Sequence, residues 1–308
     1  MDFEPNDNQT AILDGLEQLI TSLRIETPKE GETQVFSEAL DAELATSGYL
    51  DIAREEDFTV LDAALVVERI ARLPVTAEVT NSMIVAPLFP AGEVDRPLAL
   101  VQGSPLAPAR FLPHAKSLLV DRGDDLLLVK VDPARVEPVE SLFAYPYGKL
   151  DSVDGLETRS LGAAMLAPLR RRWRLGMAVE AAGLMQSALE TVLEHVKSRH
   201  QFGRPLGSFQ AVQHRLAMAS ATAHAVRWLA FRAAWSDAEE DCAIAATYVQ
   251  DSIVTFCYDL HQFCGAMGLT LEFPLHFWTY RLKAMLGELG GGSKQARAAS
   301  TLTWSAAA

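Results

Sequence analysis

Apolar residues recur at helical spacing over the first ninety positions of the chain. Ile12, Leu16, Leu19, Ile20 and Leu23 fall on one stripe, with Asp7 or Asn8 placed to cap its start. A second helical stretch ends at Ser47-Gly48, and a third carries Leu61, Leu65, Val66 and Ile70 and stops at Pro74. Residues 81–89 read as a further buried helix capped by Asn81. From about residue 93 the pattern changes to short apolar runs between turn residues. Runs at 99–103, 116–120 and 125–131 predict strands, the last two joined by a hairpin turn at Asp121-Arg122-Gly123-Asp124. From residue 159 the helical period returns. It predicts a long Ala-rich amphipathic helix running to Gly203, a second opened by Ser208 as its cap, a third over 241–266 and a fourth over 276–289 that stops at Gly290-Gly291-Gly292. The expected architecture is mainly α with a small β domain: an N-terminal helical domain (1–92), a reduced middle β domain (93–158) and a C-terminal helical bundle (159–308).

Composition narrows the partners. The chain has 308 residues, 49% of them hydrophobic, which is too apolar for a disordered chain. Its formal net charge of -13 opposes a phosphate backbone, so no nucleic acid is expected. Cys242, Cys257 and Cys264 form no C-x-x-C pair and are odd in number, against a disulfide framework or a structural zinc site. No apolar window reaches membrane-spanning length, and the first ten residues are acidic and polar, unlike a secretory leader. The expectation is a soluble cytoplasmic protein with no membrane partner and no metal.

Two segments carry specific chemistry. Arg199-His200-Gln201-Phe202-Gly203-Arg204-Pro205-Leu206 runs on through Ser208-Phe209-Gln210-Ala211-Val212-Gln213-His214, and a second stretch reads Gln262-Phe263-Cys264-Gly265-Ala266-Met267-Gly268. The first closely resembles the R-x-Q-F-G-x-P signature of the acyl-CoA dehydrogenase family, and the second resembles that family's Q-x-x-G-G-x-G stretch. The order of helical, β and bundle regions agrees. The resemblance implies an FAD-dependent oxidoreductase of lipid metabolism that dehydrogenates acyl-CoA thioesters between the α and β carbons. It also implies that Arg199, Gln201, Phe202, Leu206, Gln210, Gln262 and Gly265 contact the FAD of a neighbouring subunit. An arginine suits that role, as a fixed cation with a planar donor fork for phosphate.

The chain departs from the family where the chemistry is done. At the two positions that match the family's alternative catalytic bases stand Gly290 and Trp173, neither of which accepts a proton. The Thr-Glu-Pro segment that lines flavin and thioester in the family is missing, and Val101 to Pro108 stands in its place. Substitute bases are Glu288, Glu180 and Glu272, while His261 and His276 read as packing residues. The pattern resembles the shortened, non-catalytic subunit of bacterial heteromeric acyl-CoA dehydrogenases. The resemblance then implies an α2β2 heterotetramer with a full-length dehydrogenase subunit that holds most of the acyl-CoA, FAD shared at the interface, and steroid side-chain CoA thioesters as substrates in steroid catabolism. Two other readings remain open: a self-sufficient homo-oligomeric dehydrogenase with a displaced base such as Glu288, and a cofactor-free scaffold subunit.

Overall fold

The computed structural model describes residues 4–28, 32 and 35–305, so the outermost ends of the first and third expected regions lie outside the described residues. Helix α1 (Asp7–Ser22) is capped by Asn6, not by Asp7 or Asn8. The Asn6 side chain accepts from the Gln9 amide at 2.8 Å, and the Gln9 side chain accepts from the Asn6 amide at 3.1 Å. This reciprocal box needs a glutamine three residues after the cap, which fixes the start one residue earlier than the apolar stripe suggests. Helices α2 (Glu38–Thr46) and α3 (Val60–Ala71) follow, with Gly48 in the left-handed region just past α2.

Residues 81–88 are not a regular α-helix but a π-turn followed by a 3₁₀ turn, and Asn81 lies within the π-turn rather than capping it. The cap is supplied by buried Glu78, whose carboxylate accepts from the Asn81 amide, from the Ser82 hydroxyl and from the Leu98 amide. The Asn81 side chain instead donates to the Leu98 carbonyl at 2.9 Å, tying this turn to the first strand.

Strands β1 (Leu98–Gln102), β3 (Ser117–Asp121), β4 (Leu126–Lys130) and β7 (Thr158–Ser160) form one sheet in the order β1-β3-β4-β7. The β3–β4 pair is the expected hairpin, and β1 runs parallel to β3. Strands β2 (Ala109–Arg110), β5 (Val136–Val139) and β6 (Tyr147–Leu150) form a second, antiparallel sheet in the order β2-β6-β5. Between the sheets lies a core of Ala99, Val101, Leu118, Val120 and Leu150, separate from the core of the helices.

Helix α4 (Leu166–Ser198) spans 33 residues, about 50 Å at 1.5 Å per residue. It was expected to be amphipathic, but every residue from Trp173 to Met185 is buried. The reason is its central place: α3, α5 (Gln210–Ser236), α6 (Glu239–Cys264) and α7 (His276–Ala284) all pack on it. Gly183 permits the close approach of α3, since a Cβ there would sit 2.2 Å from the Glu68 carbonyl oxygen. A fifth helix, α8 (Gly292–Ser305), packs on α6 and was not foreseen as a separate element. Ser208 does not cap α5: its hydroxyl donates to the Pro205 carbonyl at 2.7 Å inside a 3₁₀ turn, and Phe209 precedes the helix. Among the described residues no helix is long and apolar enough to cross a membrane, and no group of three or more His, Cys, Asp or Glu is placed to hold a metal.

Candidate functional site

Two concavities collect the residues that the sequence singles out. The first is an open cleft between the end of α4 and the end of α6. Helix α4 stops at Ser198, and Arg199 takes extended backbone geometry while its amide still bonds to the His195 carbonyl. The chain then makes a minimal hairpin, β8 (His200–Gln201) with β9 (Arg204–Pro205), across Phe202 and Gly203. Both tip residues have positive φ, +56° and +81°, as a tight turn with right-handed strand twist demands. Phe202 therefore points into solvent, 87% exposed, with its ring edge toward Phe209, over which the Arg204 guanidinium stacks at 4.0 Å.

Facing this hairpin, α6 ends at Gly265, whose φ of 59° and ψ of -140° suit only glycine. The turn that follows is tight: a Cβ on Gly268 would lie 2.7 Å from that of Cys264. His261 holds the turn, with its Nδ1 2.6 Å from the Gly268 carbonyl and its Nε2 2.9 Å from the Thr279 hydroxyl, so it packs rather than reacts. His276 likewise sits in the core, its Nδ1 bonded to the Phe273 carbonyl.

The resulting cleft has a volume of about 360 Å³. Arg199, Gln201, Leu206, Gln262 and Gly265 all line it, with Phe263 and Met267 as apolar wall. Phe202 and Gln210, also singled out by the sequence, stand outside it, at the hairpin tip and in the first turn of α5. Arg199 is exposed and has no ion-pair partner among the described residues. Burial, joined by the nearby Arg199 charge, holds His195 below the ordinary histidine range.

The second concavity is a slot of about 290 Å³ between the β sheets and the bundle. Here Trp173 on α4, Val101, Gln102, Ala107 and Pro108 of the β region, and Glu288 and Leu289 of the loop before Gly290 converge. The loop leaves the helical path at Glu288 (ψ 147°) and Leu289 (φ +54°), which turns the Glu288 carboxylate inward. There it is captured. Trp173 Nε1 donates to its Oε2 at 2.7 Å, and Arg110 Nε lies 2.8 Å from its Oε1, an ion pair without good hydrogen-bond alignment.

Arg110 reaches further. Its Nη1 donates to Glu180 Oε2 at 3.2 Å, its guanidinium stacks 4.6 Å from the Tyr145 ring centre, and the Tyr145 hydroxyl donates to Glu180 Oε1 at 2.6 Å. Behind them Arg281 is wholly buried and donates to the carbonyls of Leu73, Val75 and Phe277. Burial pushes the Glu288 carboxyl above the usual range, against the pull of Arg110 and Trp173. Burial would lower Arg110, but Glu288 and Glu180 outweigh it and hold its guanidinium well above the ordinary value. Tyr147, which also lines the slot, is pushed up to about 12 by burial.

The sequence therefore anticipated Glu288 and Trp173 but not that they bond to each other. It missed Arg110, Tyr145 and Arg281 altogether, and Glu180 was considered only as a base. Arg110 lies 70 residues from Glu180 in the chain, and no local spacing announces such a pair. Glu272, another candidate base, is exposed and far from the slot's lining.

Comparison with known proteins places this geometry. Residues 169–301 match the family described as acyl-CoA dehydrogenase, C-terminal domain. Acyl-CoA dehydrogenase FadE34 of Mycobacterium tuberculosis is 34% identical over 134 residues, covering 41% of this chain and 19% of that protein. Acyl-CoA dehydrogenase IpdE2 of the same organism is 32% identical over 105 residues, covering 34% of this chain and 33% of that protein. The chain thus spans only a fifth to a third of the length of these curated relatives. Two solved structures match nearly end to end. A variant of the Tcur3481-Tcur3483 steroid ACAD has a TM-score of 0.77 at 23% identity, covering 98% of this chain and 99% of that one. The ChsE4-ChsE5 complex from Mycobacterium tuberculosis has a TM-score of 0.76 at 20% identity, covering 99% of each chain. Five of the signature residues line one cleft, residues 169–301 are similar to the acyl-CoA dehydrogenase C-terminal domain, and the fold is shared with these solved structures along the length of the chain.

Proposed function

We propose that this chain is the non-catalytic subunit of a heteromeric FAD-dependent acyl-CoA dehydrogenase, completing the FAD site of a full-length partner rather than supplying the base. The observation that carries this reading is the contrast between the two concavities. The cleft fits the adenosine and pyrophosphate end of FAD: an unpaired guanidinium for phosphate, amide side chains of Gln201 and Gln262, and apolar wall for a flat ring. The slot offers a flavin no such free group, because its guanidinium is already paired with Glu180 and Glu288 and Trp173 already donates to Glu288.

When bound, FAD would take up the β hydride of an acyl-CoA while a carboxylate removes the α proton. This chain's share is to bind and orient: Arg199 at phosphate, Gln201 and Gln262 as hydrogen-bonding groups, Leu206 and Gly265 letting the cofactor approach closely. Glu288 is poorly placed to serve as a base, since Trp173 and Arg110 occupy its oxygens. An α2β2 assembly and a bulky, steroid-type acyl group are the finer form of the proposal. They are suggested by neighbours named as a two-protein complex and as a steroid ACAD.

The test is co-expression with a fuller dehydrogenase homologue that keeps a base before its Gly-Thr or Gly-Ser pair. The complex should carry one flavin per pair of chains, and Arg199→Ala should strip most of it. A complex that keeps its flavin with Arg199→Ala and Gln262→Ala combined would refute the role given to the cleft.

A further inference from the structure

The slot at Arg110 lies where a competent chain of this fold would need room, and side chains from four separate parts of the sequence meet at its wall. Arg110 comes from β2, Tyr145 from the segment before β6, Glu180 from the middle of α4 and Glu288 from the loop after α7. Together with Arg281 they make two cations facing two carboxylates, so the cluster is charge-balanced without any ligand. Two other polar side chains at the slot have protein partners: Asn81 donates to the Leu98 carbonyl and Gln102 to Asp121. The Arg110 and Glu288 side chains are only 11% and 13% exposed.

The sheet β2-β6-β5 meets the helices directly through a small apolar cluster of Phe111, Tyr145 and Ala284. The first sheet is fixed to α4 by a larger one that includes Leu98, Leu119, Leu128, Leu169 and Trp173. A charged cluster that spans the gap is costly to break from one side, because the partner left behind is buried and unpaired.

We propose that Arg110 is the residue that shuts this chain's own slot to a ring-bearing cofactor and clamps the second β sheet to the bundle in its place. The inference rests on the partner-subunit reading in taking the slot as the counterpart of a competent active site. It adds a cause: the guanidinium stands where a bound group would otherwise join the two halves. The isolated chain is therefore a finished fold without flavin, and the cofactor reaches it only at the Arg199 cleft.

The experiment uses the full chain purified alone, followed by hydrogen exchange and thermal unfolding. Arg110→Ala should speed amide exchange in β5 and β6, residues 136–150, at least tenfold and leave α5 and α6 at their wild-type rates. Ethylguanidinium at about 10 mM, a mimic of the missing group, should raise the melting temperature of Arg110→Ala and not that of the wild type. If Arg110→Ala does not fold, Arg110→Lys and Glu288→Gln keep most of the packing and should show the same local exchange in milder form. Wild-type exchange rates in residues 136–150 of these variants would overturn the clamp. A melting temperature of the lone wild-type chain that rises with added FAD, undiminished by Arg199→Ala, would overturn the closed slot. The clamp is read on the chain alone, and a complex that fails to load flavin at Arg199 would sink the partner reading while leaving these results standing.

Discussion

The cleft at Arg199 and the slot at Arg110 each hold a guanidinium, and they treat it in opposite ways. Arg110 is buried, stacked on an aromatic ring and paired with two carboxylates. Arg199 is exposed at a helix end with no partner among the described residues. A charge that the protein neutralises internally is part of the structure, whereas one left open at the rim of a cleft is available to a ligand or to another chain. On the proposed reading, the chain's ligand-facing chemistry lies at its edge rather than in its middle.

The largest effect should come from breaking the internal pair. Arg110→Ala leaves Glu288 and Glu180 buried without their cation, and unfolding should lose about 3–5 kcal/mol, read from urea denaturation. Arg199→Ala should give the complementary result. Its effect on stability should stay within about 0.5 kcal/mol, as for exposed positions. Its effect on the flavin affinity of the complex should be about tenfold or more, the scale of a lost charge-assisted hydrogen bond. A strongly destabilised Arg199→Ala or a fully stable Arg110→Ala would collapse the distinction.

The anchoring of the β region can be tested by pH. Arg170 on α4 forks onto Asp121 at the end of β3, with both contacts at 2.7 Å. Burial pushes the Asp121 carboxyl up, but hydrogen bonds from Arg170, Gln102 and the Gly123 amide outweigh it and hold it below its ordinary 3.8. With the folded value depressed, the stabilisation is present above the unfolded value and is lost as pH falls through the folded one. The difference in melting temperature between wild type and Asp121→Asn should be level from about pH 6 to 8 and should shrink below about pH 4. A gap that widens on acidification would reverse the assignment.

The mildest probe concerns the thiols. Burial pushes Cys242, Cys257 and Cys264 up to about 12, although Cys264 borders the open cleft. At about pH 8 a thiol reagent should label the native chain only slowly, and all three cysteines after denaturation. Rapid labelling of Cys264 alone would show that the cleft's floor opens more than its geometry suggests.

What the sequence disclosed follows the same division. The cleft was legible because its residues lie in two short runs whose spacing is set by a hairpin turn and a helix stop, both local features. The strands of the β3–β4 hairpin and the long bundle helices were legible for the same reason. The slot was not legible, since Arg110, Glu180 and Glu288 meet only after the β region has docked on the bundle. The all-round burial of α4 escaped periodicity because its neighbours, not its own pattern, decide how many faces are covered. The caps at Asn6 and Glu78 turned on single hydrogen bonds that several nearby residues could have made.

The most direct measurement is flavin content per chain, for this chain purified alone and with a full-length dehydrogenase partner. The account predicts a colourless lone chain and one flavin per pair of chains in the complex. One flavin per chain in the lone protein would contradict it, because the slot would then have admitted the ring despite the Arg110, Glu180 and Glu288 cluster.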